Sequence, residues 1–342
     1  MSTDTRMFSE AASASKVVAD QMMENEALME NIGKQLRARQ PQVIATCARG
    51  SSDHAATFAK YLIETYAGIP TASFAPSVSS VYAAKQNMSG AVFVALSQSG
   101  ASPDLLASAT AAKEAGALVI ALVNVEDSPL AELADEVIPL RAGPETSVAA
   151  TKSYIATLTA LTQLVAAWTQ SDALKQALKE LPGQLREAWE LDWQAAVDAL
   201  EGATNFFVIG RGLGFGIAQE AALKFKETAG LHAEAYSAAE VRHGPMAIVN
   251  RGFPVLLFTQ DDGTRAGVDA VVADFTARGA VVLVAGKAYD NAVNLPSPRG
   301  VAAATAPIVF IQSFYKMVNA LAVTRGYDPD SPPHLRKVTE TL

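Results

Sequence analysis

Three charged residues recur at helical spacing in the second half of the chain. Glu220, Lys224 and Glu227 are four and three residues apart, in a stretch of helix-forming residues that Gly230 can end. At these intervals the side chains lie on one face of an α-helix. Such faces are usually solvated and salt-bridged, but most of the surrounding residues are apolar. We therefore predict that the charged face lines a cleft, where a carboxylate beside a lysine can act as a general base.

Two of the four histidines lie a short distance downstream of this stretch. His232 and His243 are eleven residues apart, and Gly244 and Pro245 turn the backbone sharply after His243. A lone histidine is more often structural than catalytic, but beside a lysine and a carboxylate it can move a proton. Neither histidine lies in an HExxH arrangement, and the sequence has no Ser-His-Asp hydrolase signature. We predict no catalytic metal and no cofactor.

Small hydroxyl residues follow two apolar runs in the first half of the chain. They are Ser97, Gln98, Ser99 and Ser102 after one run, and Ser51 and Ser52 after another. Each serine alone could be a helix N-cap, with Ser52 or Asp53 capping a helix that begins near Asp53. Two such clusters at equivalent strand ends instead favour a phosphate site, because helix N-termini present free N–H groups. The sequence has no Walker motif, and residues 210–216 match a dinucleotide-binding loop only loosely.

Apolar, β-branched runs alternate with helix-forming stretches in both halves of the chain. Gly, Ser or Pro bounds each run, which is typical of short strands buried in a parallel α/β sheet. The helical stretch 102–116 starts with Ser102 and Pro103 and ends at Gly116, as helices often do. The predicted strands cover 43–50, 91–100, 117–124 and 135–140, then 206–212, 254–260, 280–286 and 306–310.

The two halves superimpose when one is shifted along the other without a gap. The shift places Arg49-Gly50 on Arg211-Gly212 and Ser97-Gln98 on Thr259-Gln260, which predicts a duplicated α/β unit. The copies differ directly after these strand ends, where the second copy carries Asp261 and Asp262. Two carboxylates repel a phosphate at the carboxyl end of a sheet, so we expect only the first copy to bind one.

The composition excludes several classes of function. The 342 residues carry a net charge of −8, which disfavours nucleic acid or an anionic membrane as a partner. The single cysteine, Cys47, allows neither an intrachain disulfide nor a multi-cysteine metal site. No signal-type segment follows the first residues, and no run approaches the roughly 20 apolar residues of a membrane span. We expect a cytoplasmic protein without membrane contact.

These patterns predict an α/β fold of two duplicated, doubly wound parallel-sheet subdomains of the flavodoxin-like type. One long helix over 8–40 precedes them, and a C-terminal tail follows. The expected segments are an N-terminal helical segment (1–40), a first, phosphate-binding subdomain (41–170), a helical connection (171–200), a second subdomain with the catalytic base (201–330) and a C-terminal tail (331–342).

Five motifs together resemble the sugar isomerase (SIS) family. They are SQSG after a strand, GRG at the start of the second copy, EAALKFKETAGLHAEAY, EVRHGP and the tail HLRKVTETL. The resemblance extends over nearly the whole chain, and is to the isomerase half of glucosamine-6-phosphate synthase and to freestanding glucosamine-6-phosphate deaminases. SQSG alone is weak evidence, whereas the long motif together with the lysine-containing tail is specific. The resemblance implies a homodimer of double SIS subdomains that binds a hexosamine 6-phosphate.

The resemblance also implies roles for individual residues. Glu227 would move a proton between C2 and C1, and Lys224 would stabilise charge beside the developing enediol. His243 would reach in from the neighbouring subunit to assist ring opening, and Lys337 would form an imine with the open-chain ketose. The implied substrate-binding residues are Ser51, Ser52, Ser97, Gln98, Ser99 and Ser102 at the phosphate, with Val148, Ala150 and Glu220.

The departures from the synthase pattern decide the expected activity. SQSGET is SQSGAS here, Ala150 stands where synthases usually carry serine, and the residue directly after Met1 is not a cysteine. We therefore expect no amidotransferase half and no channelled ammonia. The resemblance then implies a glucosamine-6-phosphate deaminase that releases fructose 6-phosphate and ammonia. The alternatives are an aldose-ketose isomerase or deglycase for another hexose phosphate, and a non-catalytic sugar-phosphate sensor.

Overall fold

The computed structural model describes residues 5–337. Within that range the chain forms twelve α-helices and ten β-strands. The helices are α1 (Arg6–Ala12), α2 (Ala14–Arg39), α3 (Ser51–Tyr66), α4 (Pro76–Ser80), α5 (Pro103–Glu114), α6 (Pro129–Leu133), α7 (Lys152–Thr169), α8 (Asp172–Glu190), α9 (Gln194–Leu200), α10 (Gly214–Ala229), α11 (Arg265–Ala277) and α12 (Ala306–Thr324). The strands are β1 (Ile44–Cys47), β2 (Thr71–Ser73), β3 (Val92–Ser97), β4 (Leu118–Val123), β5 (Glu136–Pro139), β6 (Asn205–Gly210), β7 (His232–Ser237), β8 (Pro254–Thr259), β9 (Val281–Gly286) and β10 (Val293–Leu295).

The chain divides into two compact units. One consists of residues 16–145 and 152–178 with Arg336 and Lys337, and we call it the first-sheet unit. The other consists of residues 5–15, the short segment 146–151 and residues 179–335, and we call it the second-sheet unit. Each unit therefore takes its residues from separate parts of the sequence.

The first-sheet unit is built on a parallel sheet with the strand order β2-β1-β3-β4-β5. All residues of β1 and β3 are buried, because a parallel sheet covered by helices on both faces excludes water from both sides of its central strands. One side of the sheet packs Phe93 and Val119 against Leu105 and Ala109 of α5. The carboxyl ends of β1 and β3 are adjacent, since these two strands pair directly.

The second-sheet unit repeats this topology. Its strand order, β10-β9-β8-β6-β7, is the same order read from the opposite edge, and all of its pairs are parallel. The strand β8 lies where the shift between the two halves places the copy of β3, and both strands have the same length. Its core packs Phe207 and Val255 against Val268 and Phe275. The predicted duplication and fold class are confirmed.

The last predicted strand is wrong. Residues 306–310 form the first turns of α12, and the fifth strand of the second sheet is instead β10. The apolar run continues to Thr324, and a short apolar window cannot distinguish a strand from the start of a buried helix. Pro307 lies in the first turn, where a helix tolerates proline. Of the described helices, α12 alone is long and apolar enough to span a membrane by length and composition. However, 83% of its apolar stretch is buried inside the structure.

The predicted helix over 8–40 is two helices. The first, α1, ends at Ala12, and α2 begins at Ala14. Ser13 separates them, and its hydroxyl donates to the carbonyl of Glu10 at 2.7 Å. The start of α1 is held by Asp330, whose carboxylate accepts the N–H groups of Arg6 and Met7, both at 2.8 Å. A partner from the opposite end of the chain cannot be recognised from the local pattern.

Candidate active site

The first serine pair lies at the start of α3. The helix begins at Ser51 rather than near Asp53, and its N-cap is Gly50, at φ +55° and without a side chain that could cap it. The expectation that Ser52 or Asp53 is the N-cap is therefore wrong. Ser51 and Ser52 are half-buried in the first helical turn, where backbone N–H groups have no acceptor within the helix.

The second hydroxyl cluster is a tight loop after β3. The Oγ of Ser97 accepts the N–H of Gly100 at 3.0 Å, and the carbonyl of Gly100 accepts the N–H of Leu130 at 3.0 Å. Gly100 has φ +63°, and a Cβ there would lie 2.1 Å from the Oγ of Ser128. The loop therefore requires glycine for both its conformation and its space. Gln98 and Ser99 are half-buried within it.

The helix α5 starts as predicted. Ser102 is its N-cap, Pro103 is its first residue, and Gly116 follows its end at φ +95°. The side chain of Ser102 makes no capping hydrogen bond, so its hydroxyl is not committed to the helix.

The loops after β1 and β3 are also joined by an ion pair that the sequence analysis missed. Arg49 contacts the buried Asp104 through Nε at 2.8 Å and Nη2 at 2.7 Å.

The equivalent loops of the second-sheet unit are filled by their own side chains. The amide Nε2 of Gln260 donates to the carbonyl of Arg211 at 2.6 Å. A Cβ on Gly214 would lie 2.6 Å from the Oε1 of Gln260. Asp262 adds a carboxylate that accepts the N–H of Thr264 at 2.8 Å. These contacts support the expectation that a phosphate is bound by the first copy alone.

The three charged residues of α10 form one hydrogen-bonded cluster in the second-sheet unit, which we call the α10 cluster (Glu220, Lys224 and Glu227). The Nζ of Lys224 lies 3.3 Å from Glu220 and donates a hydrogen bond to Glu227. The side chains of Glu220 and Lys224 are buried, whereas 20% of the Glu227 side chain is exposed. Gly230 ends the helix at φ +56°. This face is therefore not a solvated salt-bridged surface.

The α10 cluster has an additional member that the sequence analysis missed. The hydroxyl of Tyr315, fully buried in α12, donates to Glu220 at 3.2 Å. Its position within the apolar run of α12 gave no sign of a polar partner. Glu220 thus lies between Tyr315 and Lys224, and its side chain is fully buried. By contrast, the carboxylate of Glu227 is partly exposed to solvent.

The charges of the cluster keep Lys224 protonated. Burial by itself lowers the pKa of Lys224, but the negative charges of Glu220 and Glu227 and their hydrogen bonds outweigh it. The pKa of Lys224 is therefore raised above its ordinary value. An ammonium fixed beside Glu227 can stabilise a nearby oxyanion. By contrast, burial raises the pKa of the Cys47 thiol to about 12, so Cys47 is not a thiolate nucleophile at neutral pH.

Among the described residues, His243 has no hydrogen bond or ion pair with the α10 cluster. It is exposed, directly after a short 3-10 turn over Glu240–Arg242, and its N–H donates to the carbonyl of Glu240 at 2.9 Å. Between residues 5 and 337, the side chain of His243 has no hydrogen bond or ion pair. His232 starts β7 and is exposed as well.

Val148 and Ala150 lie half-buried in the short segment 146–151 of the second-sheet unit. The N–H of Val148 donates to the carbonyl of Asp330 at 3.3 Å. The carboxylate of Glu10 accepts the N–H groups of Thr146 and Ser147. The sequence analysis did not predict this contact of Glu10, because Glu10 lies in an N-terminal helix far from the segment in sequence.

Lys337 is bound within the first-sheet unit. Its Nζ lies 3.3 Å from the buried carboxylate of Glu145, which also accepts the N–H of Ser153 at 3.1 Å. Glu145 was not among the predicted site residues, although it belongs to the segment ETSVAATK that the resemblance singled out. The closing residues of the tail motif, 338–342, lie outside the described residues.

Comparisons with known proteins identify related chains. The family model of the SIS domain matches residues 38–167 and 199–325. A glutamine–fructose-6-phosphate aminotransferase (isomerizing) from Symbiobacterium thermophilum is 35% identical over 317 residues, which cover 86% of this chain and 51% of that protein. This chain thus spans about half the length of the curated relatives it matches.

Two solved structures extend the comparison. A candidate phosphosugar isomerase from Silicibacter pomeroyi DSS-3 is 42% identical, with a TM-score of 0.91 over 95% of this chain and 100% of that chain. The C-terminal domain of glucosamine-fructose-6-phosphate aminotransferase from Francisella tularensis is 26% identical, with a TM-score of 0.88 over 96% of this chain and 98% of that domain. Both similarities extend over both sheets.

Proposed function

Because the chain belongs to the SIS domain family, we propose that it is a phosphosugar isomerase whose reaction is the isomerising deamination of glucosamine 6-phosphate. The observation that carries the proton-transfer step of this proposal is the α10 cluster. It combines a partly exposed carboxylate, Glu227, with a buried ammonium, Lys224, at hydrogen-bond distance. A base next to a fixed positive charge is what proton abstraction beside a carbonyl or imine carbon requires.

The proposed reaction has three chemical steps. His243 assists opening of the sugar ring, which gives the free aldehyde at C1. Glu227 then removes the proton from C2 and returns it to C1, while Lys224 stabilises the negative charge that develops on the oxygen. This leaves an imine at C2. Addition of water to that imine releases ammonia and gives fructose 6-phosphate, so one water is consumed for each ammonia formed.

Lys337 offers a second route through the last step. Its amine can add to C2 and displace ammonia, which leaves an imine between Lys337 and the ketose. Water then hydrolyses this imine and regenerates the lysine. The phosphate group is assigned to the hydroxyl clusters of the first-sheet unit, where two helices begin beside serines and where no carboxylate lies in the loop after β3.

A second candidate is the isomerisation of a hexose phosphate that carries no amine. The candidate phosphosugar isomerase from Silicibacter pomeroyi supports it, because the similarity covers that whole chain at 42% identity. The same proton transfer by Glu227 serves both reactions, and only the group on C2 differs. A fructosamine phosphate is a further substrate of the same type, and its cleavage would make the protein a deglycase.

We also assign the protein to the cytoplasm and to a homodimer in which each subunit supplies His243 to its partner. The exposed position of His243, without a side-chain partner in residues 5–337, supports this arrangement. The proposed substrates are phosphorylated metabolites, and no nucleic acid or membrane partner is assigned to this acidic chain.

The test is to incubate the purified protein with glucosamine 6-phosphate and to measure ammonia and fructose 6-phosphate together. Equal amounts of both products support deamination. Fructose 6-phosphate from glucose 6-phosphate, with no ammonia from the amino sugar, supports the second candidate. Binding of the phosphosugars without any turnover supports the sensor and overturns both enzymatic assignments.

We predict that Glu227→Gln abolishes proton transfer. The amide cannot accept the C2 proton, so kcat should fall by about 10²–10⁴-fold, while binding of the phosphosugar persists. Solvent deuterium incorporation at C1 or C2 measures the step directly. The control is Glu201→Gln, which neutralises an exposed carboxylate after α9. Normal turnover by Glu227→Gln would rule out this residue as the base.

A further inference from the structure

Glu145 is a buried carboxylate that the proposed reaction does not use. None of its side chain is exposed, and its Oε2 lies 3.3 Å from the Nζ of Lys337. Its Oε1 accepts the N–H of Ser153, and its Oε2 accepts the hydroxyl of the same serine. All three residues belong to the first-sheet unit.

This degree of burial calls for a specific partner, because an ionised carboxylate is costly to remove from water unless it is paired. A charge is not needed to cap α7, since serine or threonine suffices at an N-cap and Thr151 directly precedes the helix. The oppositely charged group is Lys337, whose side chain is 25% exposed and which lies outside the helices and strands.

We infer that Glu145 is a positioning residue that holds the tail lysine, as an ammonium, at the start of α7. The last step of this inference rests on the proposed function. The ammonium must lose a proton before its nitrogen can add to C2 of the open-chain sugar, and Glu145 is the carboxylate at hydrogen-bond distance. The proton moves from Nζ to Oε2, the neutral amine adds to the C2 imine carbon, and ammonia leaves as the imine between Lys337 and the sugar forms.

The test measures the reactivity of Lys337 without any substrate. The folded full chain is treated briefly with acetic anhydride, and acetylation is quantified by mass spectrometry at three lysines of the first-sheet unit. Lys60 is exposed and gives the reference rate, whereas Lys152 is buried at the start of α7 and reports opening of that helix. The variant is Glu145→Gln. The control is Glu136→Gln, whose carboxylate accepts from the neutral Gln35 at 2.6 Å.

We expect Lys337 to react more slowly than Lys60 in the native protein. In Glu145→Gln its rate should rise by about fivefold, because the ion pair is lost, while Lys152 stays slow and Glu136→Gln changes nothing. An unchanged Lys337 rate would overturn the inference. A joint rise of Lys152 and Lys337 would overturn it too, because Glu145 would then support the helix rather than the lysine.

Turnover separates this inference from the proposed function. If the native protein deaminates glucosamine 6-phosphate, Glu145→Gln should lower kcat and leave KM within about twofold, since the phosphate contacts are intact. Equal losses in Glu145→Gln and Glu136→Gln would count against a positioning role. If the native protein is inactive on every sugar, the proposed function fails, and the acetylation rates still decide whether Glu145 holds Lys337.

Discussion

At the residue scale, the α10 cluster separates two carboxylates of the same helix by their surroundings. Glu220 is sealed between Lys224 and Tyr315, whereas Glu227 shares the same lysine but remains partly exposed. Both carboxyl groups contact the same ammonium, and they raise the pKa of Lys224. Burial thus assigns the supporting part to Glu220 and leaves Glu227 accessible to a ligand.

We predict that Tyr315→Phe impairs catalysis more than binding. The change removes one donor from the buried Glu220 and keeps the ring, so Lys224 is held less firmly. If the transition state loses about 1 kcal/mol of stabilisation, kcat falls about fivefold, and we expect little change in KM. The control is Tyr289→Phe, which removes a similar bond to Asp269, 2.5 Å long, outside the cluster. Equal kcat values for the two variants would contradict the prediction.

At the element scale, each predicted phosphate contact lies where a parallel strand ends and a helix begins. The loop after β3 is the tighter of the two, because Gly100 lies against Ser128 and its backbone is bonded to Ser97 and Leu130. Both the positive φ of Gly100 and the lack of space for a Cβ disfavour any other residue at this position. The shape of this loop therefore fixes where the N–H groups and hydroxyls around Ser99 point.

Gly100→Ala and Gly68→Ala form a matched pair that tests this packing. Both glycines have positive φ, at +63° and +69°, but a Cβ on Gly68 would meet nothing within 4 Å. In each variant the free energy of unfolding should fall by about 1 kcal/mol, because alanine disfavours the left-handed conformation. Gly100→Ala should lose a further 1–3 kcal/mol or so from the clash and should bind phosphosugars more weakly. Chemical denaturation and calorimetry measure both effects. Equal unfolding midpoints would show that the loop relaxes freely.

At the scale of the whole molecule, duplication has given two sheets of the same topology with different chemistry. The first sheet keeps loops rich in hydroxyl groups, whereas the second carries Gln260 and Asp262 at the same positions. The catalytic base is assigned to the second copy, on the helix that corresponds to α3. A duplicated fold can divide binding and chemistry in this way because each copy is free to change its loops on a retained core.

A mixing experiment tests the proposed exchange of His243 between subunits. Glu227→Gln and His243→Asn should each be inactive alone. Unfolded together and refolded at equal amounts, they should recover about a quarter of the native activity, because half of the dimers are mixed and each has one intact site. Recovery requires a base from one chain and a histidine from the other. Absence of recovery, with mixed dimers verified by mass spectrometry, would place both groups in one chain.

The fold was largely predictable because buried parallel strands have a strong local signal. Runs such as 91–100 are apolar and bounded by turn residues, and the ungapped shift that places Arg49 on Arg211 carried the topology from one copy to the other. The failures occurred where short windows are ambiguous. Residues 306–310 are as apolar as a strand, and nothing in the stretch around Ser13 predicts a break in the N-terminal helix.

The sequence by itself determined the fold class, the duplication and the helical face that joins Glu220, Lys224 and Glu227, since all of these follow from periodicity along the chain. Only the tertiary structure decided which charges are buried and what they contact. The partners of Tyr315, Glu145 and Glu10 lie 95, 192 and 136 residues away in the sequence. Contacts over such separations depend on the packing of whole elements, and a local pattern contains no information about them.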